Sequence, residues 1–291
     1  MRQIQRILCP IDFSEFSVAA YDYAQSLAWH YKATLFLQHA IDSLTPFYPY
    51  HAFPDAYNEI CRKLRADAEQ QLEEFAKEHS RRGIQPRCKV EDGVVTDLIL
   101  RLAEAEAVNL IVIGTHGLRG LDHLTLGSVT EKVLRKARCP VLAVRKPAHA
   151  FVPRGGEPDL VQLHRILYCT DFSDNSEQAF GHAVSLAAEY KAELILVHVL
   201  EDLPSSADIE SETAKVLERL EKRISPETRK NCMTKAVTLI GKAYQQIIEL
   251  ALESRIITGV RGRHALDLAV FGSTTYRAIQ LGSCSVLAVH V

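Results

Sequence analysis

RILCPIDFSEFSVAAYDYAQSLAWHYKATLFLQHAID, residues 6–42, is written a second time at 165–201 as RILYCTDFSDNSEQAFGHAVSLAAEYKAELILVHVLE, without a gap and with 18 of 37 positions identical. Each copy reads as a short apolar run, a helical stretch and a second apolar run. In the first, residues 5–11 are strand-like, Ser14 to Tyr31 sets Phe16, Ala20, Tyr23, Ala24 and Leu27 on one helical face, and Thr34 to Ile41 is again strand-like. A period that switches from strand to helix and back inside one repeated block is the signature of a β-α-β unit, present twice.

A second repeated block supplies the rest of the unit. Gly114 to Val144, GTHGLRGLDHLTLGSVTEKVLRKARCPVLAV, lies over Gly259 to Val289, GVRGRHALDLAVFGSTTYRAIQLGSCSVLAV. The offset between copies falls from 159 to 145, so the second copy is shorter by 14 residues, about 11 between strands 2 and 3 and three just before strand 4. The remaining pattern of copy one is a helix over 55–82 (Ile60, Leu64, Leu72, Phe75, Ala76), a strand from Pro86 to Val90 and a helix from Asp97 to Glu106 (Leu98, Ile99, Leu102, Ala103). A strand from Asn109 to Ile113, a helix from Ser128 to Ala137 and a strand from Val141 to Val144 complete it. Five strands alternating with four helices require parallel pairing through right-handed crossovers. The expected fold is α/β, two doubly wound five-stranded parallel sheets, each ordered 3-2-1-4-5 with helices on both faces. The first domain is expected at 1–147 and the second at 164–291. The connection 148–163, AHAFVPRGGEPDLVQL, carries prolines and paired glycines that suit an exposed linker.

Composition narrows the function. The 291 residues are 47% hydrophobic and 24% charged, ordinary for a globular protein, and Lys+Arg 34 against Asp+Glu 36 gives a net charge of −2. No global field draws nucleic acid or an anionic membrane. The sequence has no run of 18 apolar residues, and residues 1–6 lead into the first strand without a signal-like segment, so a cytoplasmic location is expected. Cys9, Cys61, Cys88, Cys139, Cys169, Cys232 and Cys284 are odd in number and form no CxxC pair, which reads as reduced thiols. The twelve histidines show no metal-ligand spacing; His39 and His198, at equivalent strand ends, read as packing or hydrogen-bonding residues. Cys139 and Cys284 are equivalent too and read as small buried thiols, with redox sensing the sharper alternative.

A doubly wound sheet binds ligands at the carboxyl ends of its strands, where the winding reverses, here between strands 1 and 4. Asp12 follows strand 1 and Gly114 ends strand 4; Asp171 and Gly259 hold the same places in copy two. Gly114-x-x-Gly117, nine residues and Gly127-Ser128 recur as Gly259-x-x-Gly262, nine residues and Gly272-Ser273. Glycines there let the backbone approach an anion and adopt positive φ, and a Gly-Ser opening a helix offers free N–H groups and a dipole to negative charge. Ser128-Val-Thr-Glu131 further reads as a capping box. The bland alternative is a tight turn followed by an ordinary helix cap. Neither G-x-x-x-x-G-K-[ST] nor a G-x-G-x-x-G after strand 1 is present, which argues against Walker-type NTPases and dinucleotide dehydrogenases.

With Pro10-Ile11-Asp12, the His39–Asp42 stretch, the doubled glycine pattern and the CPVLAV ending, the chain resembles the universal stress protein family, in its tandem two-domain form. That resemblance implies ATP or a related adenine nucleotide as ligand, with Mg²⁺ or Mn²⁺ a candidate companion. It implies that the base lies between Asp12 and the backbone at Ala40, or between Asp171 and Val199 in copy two. Ribose and phosphates would lie along Gly114, Gly117, Gly127, Ser128 and Val129, and along Gly259, Gly262, Gly272, Ser273 and Thr274. It also implies that the two fifth strands pair across a pseudo-twofold axis, making one chain mimic a homodimer.

The copies depart from one another in places. Copy two has Tyr276 where copy one has Glu131; Arg261 and Arg263 sit near its glycines, where copy one has His116 and Arg119. The loop Ser43 to Tyr57, with five aromatics among three prolines, has no counterpart in copy two and reads as a lid or partner patch, or as a segment folded back on its own helix. No acidic strand end beside the glycines suggests catalysis. The expectation is a cytoplasmic stress-response protein with a regulatory adenine nucleotide, not an enzyme, with an unknown protein partner, no nucleic acid or membrane, and a homodimer of the pseudo-dimeric chain. The alternatives are a non-enzymatic scaffold or small-ligand binder with degenerate sites, and a slow ATPase.

Overall fold

A computed structural model describes residues 4–42, 54–80, 83–117, 126–145, 163–201, 208–251, 256–260 and 272–289. In the first half β1 (Arg6–Pro10), α1 (Glu15–Tyr31), β2 (Thr34–Ile41), α2 (Pro54–His79), β3 (Arg87–Asp92), α3 (Val95–Ala105), β4 (Leu110–Gly114), α4 (Ser128–Lys136) and β5 (Val141–Val144) follow the expected alternation. The second half repeats it as β6 (Arg165–Cys169), α5 (Asp174–Tyr190), β7 (Glu193–Leu200), α6 (Ile209–Arg223), α7 (Pro226–Asn231), β8 (Thr234–Ile240), α8 (Ala243–Ala251), β9 (Ile256–Val260), α9 (Ser273–Leu281) and β10 (Ser285–Val289).

Each half has the strand order 3-2-1-4-5, and the halves merge into one ten-stranded sheet, β3-β2-β1-β4-β5-β10-β9-β6-β7-β8. Every pairing is parallel except at the seam, where β5 and β10 run antiparallel with Ala143 opposite Val286 and Leu142 opposite Leu287. All of β5 and β10 is buried. The palindromic order is that of a twofold relation between the copies. Two further contacts cross the seam: His30 meets Glu189 at 2.9 Å and stacks on Tyr190, and the Arg145 guanidinium donates to the carbonyls of Ile279 and Gln280, the last turn of α9. A cation on the final carbonyls of a helix is favoured by its dipole.

The helices begin where the sequence says they should. Ser14 caps α1 and Ser173 caps α5, each accepting from a backbone N–H three residues on, and Lys32 and Lys191 end the helices in left-handed conformations. Two apolar layers flank the sheet, one carrying α1, α2, α5 and α6, the other α3, α4, α8 and α9.

The structure refines the expected pattern in two places. Among the described residues copy two has five helices where copy one has four, because its shortened second helix ends at Arg223 and a separate turn starts at Pro226 behind the Ser225 cap. Residues 55–57, where the expected loop 43–57 and the expected helix 55–82 overlap, belong with Pro54 to the first turn of α2, since Pro is accommodated where helical N–H groups have no partner. The rest of that loop, 43–53, and all but the end of the connection 148–163 lie outside the described residues, although Leu163 at its end is buried in the core. The seven cysteines are free thiols. Burial pushes Cys139 up to about 11 and Cys284 up to about 12, so both remain protonated at neutral pH, which weakens the redox-sensing alternative.

The seam makes a direct prediction. Truncating a fully packed leucine removes its transfer energy and leaves a cavity, so Leu142→Ala is expected to lower the urea unfolding free energy by about 2–5 kcal/mol. Val94→Ala, at a position 62% exposed, is expected to shift it by less than about 0.5 kcal/mol.

Candidate functional site

The turn after β1 and its counterpart after β6 share one framework. Asp12 Oδ1 accepts from the Ser14 backbone N–H at 3.1 Å and from its hydroxyl at 2.6 Å; Asp171 and Ser173 repeat this at 3.0 and 2.5 Å. Between them Phe13 and Phe172 take left-handed φ of 63° and 60°. That conformation is strained for an aromatic residue and persists only where the surroundings hold it. Here His39 does so, its ring packed at a tilt against Phe13 at 4.8 Å while its Nδ1 sits 2.9 Å from the Ile11 carbonyl; His198, Phe172 and the Thr170 carbonyl form the same lock at 4.6 and 2.7 Å. The histidines at the strand ends therefore work as packing and hydrogen-bonding residues that fix the acidic turn.

The positive φ expected of the glycine motif is not found. Among the described residues the positive-φ glycines are Gly83, Gly93 and Gly241, so Gly114, Gly117 and Gly127 are needed for space and not for backbone hand. A Cβ at Gly114 would fall 2.8 Å from the Phe16 backbone, where α1 crosses the end of β4. A Cβ at Gly117 would fall 2.5 Å from Asp12 Oδ2, so this glycine lets the carboxylate reach across the crevice. The capping box does not form: Ser128 is the first helical residue, Gly127 is the N-cap, and Glu131 is drawn to Arg135 at 2.7 Å. Instead Thr130 donates from Oγ1 to the Gly114 carbonyl at 2.7 Å, tying the start of α4 to the end of β4.

These features converge on one crevice of about 980 Å³ at the carboxyl ends of β1, β2 and β4. Asp12, Ala40, Gly114, Gly117, Gly127, Ser128 and Val129 all line it. So do three residues that motif reading missed: Gln38, Thr96 and Lys132. Their signal was periodicity. Gln38 shares a strand face with Ala40, and Lys132 stands one helical turn after Ser128. His116 also lines the crevice, buried, with its ring against Phe16 and its Nδ1 3.0 Å from the Thr115 hydroxyl. Arg119 lies outside the described residues. The helices opening here, α3 behind Val94 and α4 behind Gly127, have no side-chain cap, whereas α1, α5, α6 and α7 are each capped by a Ser or Asp. Their leading N–H groups and dipoles face a cavity that suits an anion. A smaller cavity, about 450 Å³, lies between the halves and contains none of the glycine-motif residues.

The second copy keeps the frame and changes the lining. Asp171 and Val199 hold their expected places, Gly272 is the uncapped N-cap of α9, and Ser273 and Thr274 begin that helix. Gly262, Arg261 and Arg263 lie outside the described residues. Gly114 is the last residue of β4 and pairs with Val144, but Gly259 is the penultimate residue of β9 and pairs with Ala288, so β9 has slipped by one residue after the three-residue deletion. Tyr244 stands where copy one has Thr96, and Arg277, in the place of Lys132, lies 4.6 Å over its ring. Arg219, in the place of the crevice-lining Gln71, stacks on Phe172 at 3.9 Å.

The sequence model of the universal stress protein family matches residues 3–145 and again residues 162–290. The chain belongs to the universal stress protein family. A universal stress protein of Methanocaldococcus jannaschii is 32% identical over 143 residues, covering 49% of this chain and 83% of that relative. Universal stress protein A homolog 1 of Coxiella burnetii is 35% identical over 147 residues, covering 48% and 95%. Each such relative spans one half of the chain. The crystal structure of a universal stress protein from Archaeoglobus fulgidus covers 99% of this chain and 98% of its own, with a TM-score of 0.66 at 19% identity, a likeness of fold across both halves.

The two glycines separate experimentally. Gly114→Ala is expected to cost about 1–3 kcal/mol in urea unfolding, because its Cβ meets backbone that cannot move freely. Gly117→Ala meets the tip of one side chain and is expected to stay within about 0.5 kcal/mol of the parent protein. Equal losses would contradict this division.

Proposed function

We propose that the first crevice binds an adenine nucleotide as a regulatory ligand, in a cytoplasmic stress-response protein with no enzymatic role of its own. The observation that carries this reading is the uncapped start of α4, opening beside Gly117 and Asp12 into a crevice lined by every expected copy-one residue. Phosphates are the anions that such a helix start accommodates best, and Lys132 adds a cation on the same wall. The apolar residues Val95, Ile99, Ile113 and Val129 offer a dry surface for a base.

Among the described residues no group of three or more His, Cys, Asp or Glu is placed to hold a metal ion, and a nucleotide can bring Mg²⁺ or Mn²⁺ on its own phosphates. Among the same residues no helix is long and apolar enough to cross a membrane. The second crevice, with β9 slipped and Tyr244 and Arg277 stacked, is the weaker nucleotide site in this reading. Two ligand states on one shared sheet would pass a signal to a protein partner only through different affinities for two conformations.

Titration calorimetry with ATP and Mg²⁺ tests the reading. The parent protein is expected to bind; Gly117→Ala, which displaces the Asp12 carboxylate, is expected to bind at least ~10-fold more weakly. Gly127→Val is expected not to bind, because a branched side chain fills the approach to α4. Absence of binding by the parent protein would overturn the proposal in favour of a scaffold with degenerate sites.

A further inference from the structure

Gln38 is a buried amide in a strand whose neighbouring residues, Leu35, Phe36 and Leu37, are apolar. It is 1% exposed and lines the floor of the first crevice. Its Nε2 donates to Glu91 Oε2 at 2.7 Å and to the Leu98 carbonyl at 3.2 Å. Both partners are acceptors only, so the amide orientation is fixed and both of its hydrogens are used. Its Oε1 is buried with no partner. A buried acceptor left unmatched is costly, and native structures keep one mainly where something else completes it. Holding Glu91 and α3 explains the donor half of Gln38 and leaves the acceptor half unexplained.

The surroundings say what completes it. Gln38 and Ala40 point to the same face of β2, and the crevice beside them is walled by Val95, Ile99, Ile113 and Val129, an apolar slot suited to a flat ring. The partner of an acceptor at the end of such a slot is an N–H or O–H on the ring's edge. The equivalent residue in the second half is Val197, buried and apolar, with nothing to offer a ring edge. The polar residue is therefore particular to the first crevice.

The geometry points to Gln38 as the base-reading residue of the first crevice, its Oε1 accepting a hydrogen bond from the 6-amino group of the adenine ring. This rests on the nucleotide reading above and adds to it the basis of base selection. A 6-oxo purine would set acceptor against acceptor, and a purine without the amino group would leave Oε1 as unmatched as before. A site built to hydrogen-bond one substituent rejects analogues lacking it far better than a site that only fits its shape.

The test compares ATP, inosine triphosphate and purine riboside triphosphate, which has hydrogen in place of the amino group, on the parent chain and on Gln38→Met and Gln38→Val. Methionine keeps the length without the acceptor, and valine is what the second half carries. The parent chain is expected to prefer ATP by at least ~10-fold over both analogues, and both variants to bind all three within ~3-fold of one another. Melting temperatures report whether the variants fold, and the two replacements guard against one failing. A parent chain that binds ATP without preference, or a preference that survives in a folded variant, would overturn the role of Gln38 alone. A parent chain that binds none of the three would overturn the nucleotide reading together with it.

Discussion

Parallel pairing decides where this protein can bind anything. When each strand must cross over through a helix to reach its parallel neighbour, every helix that follows a strand starts at the same edge of the sheet. In the first half this brings the starts of α1, α3 and α4 around the ends of β1, β2 and β4. Two of those starts carry no side-chain cap, so the polar groups that folding cannot satisfy are gathered in one crevice. The acidic turn at Asp12, held in a strained form by Phe13 and His39, is the opposite wall. Everything proposed about the ligand depends on this geometry.

Duplication then gave the molecule two such edges and one seam. The antiparallel pairing of β5 with β10 closes the exposed edge that each half would otherwise present, which is why the halves form one sheet. Residues that maintain the frame are the same in both copies: the Asp–Ser turn, the left-handed Phe, the His lock and the left-handed Lys after the first helix. Residues that line the first crevice differ from their counterparts: Gln38 against Val197, Thr96 against Tyr244, Lys132 against Arg277. The two halves thus share a skeleton and differ in the residues set upon it. The Arg145 contact to the last turn of α9 joins the end of β5 in the first half to a helix of the second.

Most of the fold was legible because strand and helix periods alternate strongly and occur twice; Thr34–Ile41 and Val141–Val144 were placed to the residue. That Asp12 and the copy-one glycines line one crevice was legible because they stand at strand ends. What escaped was set by packing between elements distant in sequence. Nothing local distinguishes Gly114, excluded from having a side chain by Phe16, from a glycine needed for positive φ. The capping box failed because the helix starts one residue early, with Gly127 as N-cap and Ser128 already helical, which leaves Glu131 to pair with Arg135; local spacing cannot fix that register. Gln38 was passed over as one residue in an apolar strand, since its importance comes from an acceptor left unmatched only after Glu91 and Leu98 have taken its hydrogens. The slip of β9 follows from a deletion that the alignment located without showing which way the strand would move.

The central claim is that one chain holds one working nucleotide crevice and a second, altered one. The most direct measurement is to denature the purified, desalted protein and quantify the released nucleotides by chromatography against chain concentration. About one adenine nucleotide per chain is the result expected for a ligand held at the uncapped start of α4. Two per chain would contradict the asymmetry between the halves, and none, in protein that also fails to take up added ATP, would contradict the nucleotide account itself.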